Sequence, residues 1–419
     1  MSPVLITGMG MLSPLGRDSQ SSFDAALAAR SAICRVPDSL SAGLPDLLMA
    51  PAAAEPAPLL DREYAGLDRA AQLGLVAAQQ AMADAGIAEQ PQDAERFGVY
   101  VGIGFSGAHT LDAMFARYYS ALYGSEQSRK RAAVVHPLSV PRMMANAVHA
   151  AVSMHYGLRG MGNTYSVACA SSAVAAGEAL RAIRHGYLDA ALVIGAESML
   201  TQGSFVAWNA LRVMARVHAD DPAASCRPFD RDRSGFVLGE GAAALVLESA
   251  TRARGRGVPA HAELAGYGAS SDAHHLTAPS MQGQVSAMRQ ALADAGLEPS
   301  QIRYLNAHGT ATDTGDVTES QAILDVFATA ADSLAVSSTK AVHGHLIGAG
   351  GAMELALSVL ALNSGWAPPT AHLQHPDPRC PLDYLPLKAR EIGRAEAVMS
   401  NSFAFGGSNA SLIARRVRN

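Results

Sequence analysis

Ala78-Gln-Gln-Ala-Met-Ala-Asp-Ala-Gly-Ile87 returns later in the chain as Met288-Arg-Gln-Ala-Leu-Ala-Asp-Ala-Gly-Leu297. Each copy reads as an amphipathic helix closed by a glycine just past its C-terminus, where the backbone must turn left-handed. A short polar connection then leads to a strand in both places: Phe97-Gly-Val-Tyr-Val-Gly102 in the first half and Ile302-Arg-Tyr-Leu-Asn306 in the second. The segments that open the halves also match, Val4-Leu-Ile-Thr-Gly-Met-Gly10 with Ala262-Glu-Leu-Ala-Gly-Tyr-Gly268. A solenoid needs more and shorter units, so the chain reads as two copies of one α/β half.

A third correspondence sits at the centre of each half. Asn163-Thr-Tyr-Ser-Val-Ala168 reads as a strand that feeds, through Cys169, into the small-residue helix Ala170-Ser-Ser-Ala-Val-Ala-Ala-Gly177. Ser166-Val-Ala-Cys169 is echoed by Ala335-Val-Ser-Ser338, and its helix by Gly348-Ala-Gly-Gly-Ala-Met-Glu-Leu-Ala-Leu357. Runs of glycine and alanine let helices approach closely, as the middle layer of a sandwich requires. The expected order of layers is therefore helix, sheet, helix, sheet, helix. The halves are assigned to residues 1–255 and 256–419, joined by the basic, glycine-bearing stretch 251–258. Residues 40–58, rich in Ala and Pro, read as an exposed loop. Residues 105–136 read as a helical insertion ending in the basic run Ser128-Arg-Lys-Arg131.

Bulk properties narrow the function. At 419 residues, with 49% apolar and 16% charged side chains, the chain suits a large, well-buried enzyme. A net charge of −5 gives no global attraction to nucleic acid or to an anionic membrane. The four cysteines, 34, 169, 226 and 380, lie far apart without a CxxC pair, which points to reduced thiols in a cytoplasmic setting and against zinc. The N-terminus lacks the basic and apolar regions of a signal peptide, and no uninterrupted apolar stretch of membrane-spanning length is seen.

Chemistry gathers around a few positions. A cysteine at the first turn of a helix meets unpaired backbone N–H groups, so Cys169 is expected to ionise readily and act as a nucleophile. Asn306-Ala-His-Gly-Thr-Ala-Thr312 places His308 at a strand-to-turn junction, and Gly344-His-Leu-Ile-Gly-Ala-Gly350 sets His345 in a second glycine-bearing turn. Two such histidines with a thiol at a helix start form a catalytic set. Asp313, Asp316 and Glu319 follow, and complementing a helix dipole accounts for at least two of them. Lys340 is one of three lysines against 29 arginines, and Glu354 in the next helix is placed to neutralise it. His343 makes an HxH with His345, but no third ligand stands at metal spacing, so no metal site is expected.

These segments together resemble the β-ketoacyl-acyl carrier protein synthases, in the elongating Cys-His-His branch of the thiolase superfamily. The resemblance rests on Val167-Ala-Cys-Ala-Ser-Ser172, Arg227-Pro-Phe-Asp-Arg-Asp-Arg-Ser-Gly-Phe236 with Gly239-Glu-Gly241, Asn306-Ala-His-Gly-Thr310, Ser338-Thr-Lys-Ala-Val-His-Gly-His345 and Asn401-Ser-Phe-Ala-Phe-Gly-Gly-Ser-Asn409. It spans the whole chain. It implies a five-layered αβαβα thiolase fold and a decarboxylative Claisen condensation of an acyl thioester with malonyl-carrier protein. Cys169 would take the acyl group from phosphopantetheine. His308 and His345 would hydrogen-bond the malonyl carbonyl, and the amides of Cys169 and Phe405 would form the oxyanion hole. Lys340 and Glu354 would support His345.

The resemblance also pairs the loop of Ala404, Phe405 and Gly406 with a second loop carrying Asp272 and His275, as a gate on the acyl pocket. Thr310, Thr312 and Phe105 would contact substrate. Arg129, Lys130, Arg131 and Arg212 occupy places where an acidic acyl carrier protein docks. No cofactor is implied, since the substrates arrive on the carrier's phosphopantetheine. A homodimer is implied, with pairing to a related subunit as the alternative. Three departures stand out: Ala404 where the gate usually has glycine, Phe105 where a smaller aliphatic residue often lines the acyl tunnel, and Ala196 where a second glycine is usual. They imply altered acyl specificity. A non-catalytic partner subunit would lack the thiol, and a thiolase would carry a different set of histidine partners.

Overall fold

Repetition in the sequence becomes repetition in the sheet. The computed structural model describes residues 2–41, 43–87 and 90–417. The first half contributes strands β1 (Val4–Leu12), β2 (Phe97–Gly102), β3 (Asn163–Tyr165), β4 (Ala190–Glu197) and β5 (Gly241–Ser249). The second contributes β6 (Ala262–Ser271), β7 (Ile302–Asn306), β8 (Ala335–Ser337), β9 (Ala397–Phe403) and β10 (Ser408–Arg415). Their order is β3-β2-β4-β5-β1 in one half and β8-β7-β9-β10-β6 in the other. In each half the first two pairings are parallel and the next two antiparallel. The halves meet where Leu5 and Ile6 of β1 pair with Glu263 and Ala262 of β6.

The helices that frame the sheet and the site are α1 (Arg69–Asp84), α2 (Ala108–Leu122), α3 (Ala147–Tyr156), α4 (Ser171–Arg184), α5 (Gln202–Ala210), α6 (Met281–Ala295), α7 (Asp313–Phe327) and α8 (Gly350–Ser364). Helices α4 and α8 pack on each other and on strands of both halves, sharing one core. Helices α1 and α3 cover the outer face of the first half, and α6 and α7 that of the second. This is the expected five-layer order.

The repeated helix explains why its sequence returns. A Cβ on Gly8 or Gly10 of β1 would lie 2.1 Å from the carbonyl oxygen of Ala81 or Ala77 in α1. On Gly266 and Gly268 of β6 it would lie 2.3 and 2.0 Å from those of Ala291 and Ala287 in α6. Only glycine permits such contact between helix backbone and strand. The aspartate of each Ala-Asp-Ala-Gly then fastens the helix end to its strand: Asp84 accepts from the Met9 amide at 2.8 Å and Asp294 from the Tyr267 amide at 2.9 Å.

The central echo is real, but its register differs from the sequence match. Tyr100 pairs with Asn163 and Tyr304 with Ala335, so Asn163, not Ser166, is the counterpart of Ala335. Residue type alone had aligned two small-residue strands, whereas the sheet register is set by their neighbours. Within 40–58, Leu48–Ala50 forms a strand against Leu238–Gly239, with Leu48 and Ala50 buried, so this part is not an exposed loop. The connector at 251–258 is mostly the helix Ala250–Arg256, where Arg252 pairs with Asp93 and Glu248. One helical stretch among the described residues, Ile347–Ser364, is long and apolar enough to cross a membrane, although Glu354 interrupts it and 83% of it is buried within the protein.

Candidate active site

Both central helices are entered through the same strained elbow. Ala168 has φ +48° and Ile347 φ +42°, left-handed values that non-glycine residues adopt only when their surroundings enforce them. The turn Ala168–Ala170 carries Cys169 to the start of α4, and the turn Ile347–Ala349 leads into α8 two residues after His345. Strand β7 ends at Asn306 and places His308 just beyond its C-terminal edge.

The three predicted catalytic residues converge. His345 Nε2 lies 3.0 Å from Cys169 Sγ, and the rings of His308 and His345 meet edge to face with centroids 5.4 Å apart. Reactive atoms of all three lie within 4.8 Å of one another. The Ile347 amide donates to His345 Nδ1 at 3.3 Å. That bond occupies the Nδ1 lone pair, so the neutral ring carries its proton on Nε2 and donates it toward sulfur. His308 keeps a buried Nδ1 without a protein partner. Burial first, then the charge of Lys340, holds both histidines well below the usual imidazole range, and each is neutral.

The thiol corrects one expectation. Burial pushes Cys169 up to about 12, against the lowering by Lys340 and by the amides of Phe405 and Cys169 itself, which point at the sulfur. The helix start alone does not make a thiolate, because burial disfavours charge more than the amides favour it. Alkylation of Cys169 should accelerate about tenfold per pH unit from neutrality past about pH 9, where a free thiol of pKa about 8.5 already levels off. Iodoacetamide kinetics followed by peptide mass report this directly. A plateau near neutral pH would show instead that the resting cysteine is ionised.

Around this centre lies a buried charge network. Lys340 and Glu354, each 1% exposed, form a close ion pair. His343 turns its Nε2 to Thr339 Oγ1 at 2.9 Å and does not join His345. Glu319 is the residue that reading the sequence as helix-dipole chemistry missed. It is 2% exposed and accepts from the amides of His308 and Gly309 at 2.8 and 2.7 Å, fixing the turn that presents His308. Asp316 is equally buried, accepts from the Phe229 amide and faces Arg233. The signal was present: Asp316 and Glu319 share one helical face with apolar Ile323. Only Asp313, exposed and at the start of α7, fits the dipole reading.

The expected gate is tied together. The Asp272 amide donates to the Gly407 carbonyl at 2.9 Å and the Gly406 amide to the Leu276 carbonyl at 2.7 Å. The Asp272 carboxylate accepts from Asn409 Nδ2 and from the Ser280 amide. His275, exposed, receives the Thr277 and Ala278 amides on Nδ1. The positive φ values fall on Gly406 (+81°) and Gly407 (+77°), whereas Ala404 is extended at φ −111°. The alanine therefore imposes no backbone strain here. Gly407→Ala should instead lower stability by about 1–3 kcal/mol, since the new Cβ combines a left-handed φ with a 2.7 Å approach to Asp272 Cβ. Urea denaturation measures the loss.

A cavity of 360 Å³ leads from the surface to Cys169. Thr310 and Thr312, their hydroxyls 3.0 Å apart, line it with His308, His275, Ala404 and Phe405. Arg212 lines the same cavity, but Arg129, Lys130 and Arg131 line neither this cavity nor the apolar one beyond, and Lys130 pairs with Glu126. Phe105, 47% exposed, lines that apolar cavity behind the cysteine.

Comparison with known proteins agrees with this geometry. Residues 1–253 match the model of the β-ketoacyl synthase N-terminal domain, and residues 261–374 that of the C-terminal domain. The chain is 37% identical to a 3-oxoacyl-[acyl-carrier-protein] synthase 2 of Coxiella burnetii, covering 99% of this chain and 98% of the relative. It is 40% identical to nodulation protein E of a Rhizobium species, with 99% of each covered. A β-ketoacyl synthase crystal structure from Burkholderia phymatum superposes with a TM-score of 0.89 at 37% identity, covering all of both chains. A type II polyketide ketosynthase solved in complex with its acyl carrier protein gives 0.89 at 26% identity, covering 99% of this chain and 100% of that one.

Proposed function

This chain belongs to the β-ketoacyl synthase family, and from that premise we propose that Cys169, His308 and His345 carry out its condensation in two covalent stages. The enzyme is a 3-oxoacyl-[acyl-carrier-protein] synthase, an acyltransferase of fatty acid or polyketide-type biosynthesis. The observation that carries the assignment of residues is the 3.0 Å contact between buried His345 Nε2 and Cys169 Sγ at the inner end of the cavity.

In the first stage the sulfur attacks the acyl thioester. A new carbon–sulfur bond forms at Cys169, the bond to phosphopantetheine breaks, and the cysteine's proton ends on the departing thiol. In the second stage malonyl thioester occupies the same cavity. Its carbon–carboxylate bond breaks, CO₂ leaves, and the charge moves onto the thioester carbonyl oxygen. His308 and His345, both neutral and facing one point, donate hydrogen bonds to that oxygen. The enolate carbon attacks the acyl carbon on Cys169. The amides of Cys169 and Phe405, already aimed at the sulfur in the free enzyme, receive the oxyanion. Such donors contribute about 3–4 kcal/mol each. Collapse releases the 3-ketoacyl thioester, and the cysteine sulfur regains a proton from solvent. Thr310 and Thr312 face the pantetheine path, and Arg212 at the mouth offers the acidic carrier protein a cation. No resident cofactor takes part in this scheme.

Two copies of the chain would join along β3. That strand ends the sheet and leaves one edge open to pairing, which supports a dimer. Incubation with acyl- and malonyl-carrier protein should release one CO₂ per 3-ketoacyl product. Transfer of the acyl group without CO₂ release would contradict the condensation.

A further inference from the structure

The apolar cavity behind the cysteine, 470 Å³ in volume, shares Trp208 and Ile347 with the entry cavity and reaches Ala168 beside the nucleophile. Its wall is built from Phe105, Leu111, Phe115 and Met199. One ionisable side chain stands among the described residues of that wall, Asp112 on α2. Its Oδ1 accepts from the Gly203 amide at 3.2 Å, and a Cβ on Gly203 would come within 2.7 Å of that oxygen. Oδ2 makes no hydrogen bond to a described residue.

The pocket does not end at Asp112. Asp112 and Thr201 also line a third cavity of 420 Å³, with Glu55, Arg69, His109 and Glu240 on its walls. Three carboxylates there face one guanidinium, and Arg69 is already engaged by Glu240 and Glu55, each at 2.6 Å. The lining is acceptor-rich and negative. A hydrocarbon end pressed on Asp112 would strip its water without replacing it, and a carboxylate end would meet like charge. A hydroxyl or ammonium would donate to the open Oδ2.

The geometry points to Asp112 as the residue that selects the far end of the acyl chain, favouring acyl groups whose distal carbon bears a hydrogen-bond donor over those ending in methyl or carboxylate. This rests on the reading that Cys169 holds the acyl chain in the apolar cavity. It adds a specificity that neither the family match nor the names of the relatives state.

The test uses carrier-bound acyl series from hexanoyl to dodecanoyl, each with a methyl, hydroxyl, amino or carboxyl end, and reads acylation of Cys169 by intact mass over time. At the length that reaches Asp112, the hydroxyl or amino chain should acylate the wild type about tenfold faster than its methyl counterpart. Asp112→Leu should reverse that order. Asp112→Asn, which keeps an acceptor for the Gly203 amide, should retain the hydroxyl preference and lose the amino one. Equal rates for all ends at every length, or an unchanged order in Asp112→Leu, overturn the inference and leave the proposed reaction standing. If no chain of any kind reaches Cys169, the proposed reaction falls and the inference with it.

Discussion

Cys169→Ala should fold as the parent does and lose condensation by on the order of 10⁴-fold or more, the scale seen when a covalent nucleophile is removed from a machinery that acts as a unit. The fold should tolerate the change because the side chain is small and contributes one edge of a cluster with Met199, Leu200 and Phe236, leaving only a small void. Activity should not tolerate it, because among the described residues no second thiol lines the cavity. Cys34 is exposed on the strand Cys34–Arg35, Cys226 is buried in a separate cluster, and Cys380 lies in the outer core of the second half. Product formation from acyl- and malonyl-carrier protein, with thermal unfolding as the control for folding, checks both parts. Retained turnover in this variant would remove Cys169 from the mechanism.

Lys340→Met should be among the most destabilising single substitutions in the chain. It leaves Glu354 without its partner in a layer where both are 1% exposed and where Glu354 Oε2 has no hydrogen bond. Breaking such a pair costs about 3–5 kcal/mol. The size should depend on pH. Burial already pushes Glu354 up to about 7 with Lys340 in place, and loss of the cation pushes it higher. A carboxylate raised in the folded state binds more protons there than in the unfolded chain. Stability contributed in this way is complete below the unfolded pKa of about 4.3 and is lost as pH rises toward the folded value. The deficit of the variant should therefore be small in mild acid and widen through neutrality. Denaturant titrations at several pH values measure it, and a constant deficit would mean that Glu354 does not change its charge. Replacing Glu354 by leucine in the same variant should recover most of the stability. Activity should not return in full, because Lys340, second to burial at the two histidines, also lowers His308 and His345, and it lowers Cys169 against the burial that raises it.

Much of this architecture was legible in the chain because its duplication is written in contacts that only a few residue types satisfy. Gly8 and Gly10 had to recur as Gly266 and Gly268 because helix carbonyls touch both strands, and Asp84 and Asp294 had to recur because each holds a strand amide. The site was legible for a related reason: a thiol before a small-residue helix and two histidines in glycine turns are local patterns at strand ends. What escaped depends on burial and register, which no window of sequence contains. Glu319 looks like one more acid near a helix start until α7 packs and buries it under His308. The helix start beside Cys169 is visible in the sequence, whereas the burial that raises its thiol is not. Ala404 departs from the family's glycine, yet the left-handed backbone falls on its neighbours Gly406 and Gly407. Among the basic residues, Arg212 reaches the cavity mouth, while Arg129, Lys130 and Arg131 belong to a segment that lines neither cavity.

The central claim is that one sulfur, held under His345 and beside His308, carries the growing chain. Intact mass of the wild-type protein mixed with acyl-carrier protein alone should gain one acyl group, mapped to the peptide containing Cys169, and that mass should vanish when malonyl-carrier protein is added. An acyl group on any other residue, or an adduct that persists through addition of malonyl-carrier protein, would contradict it.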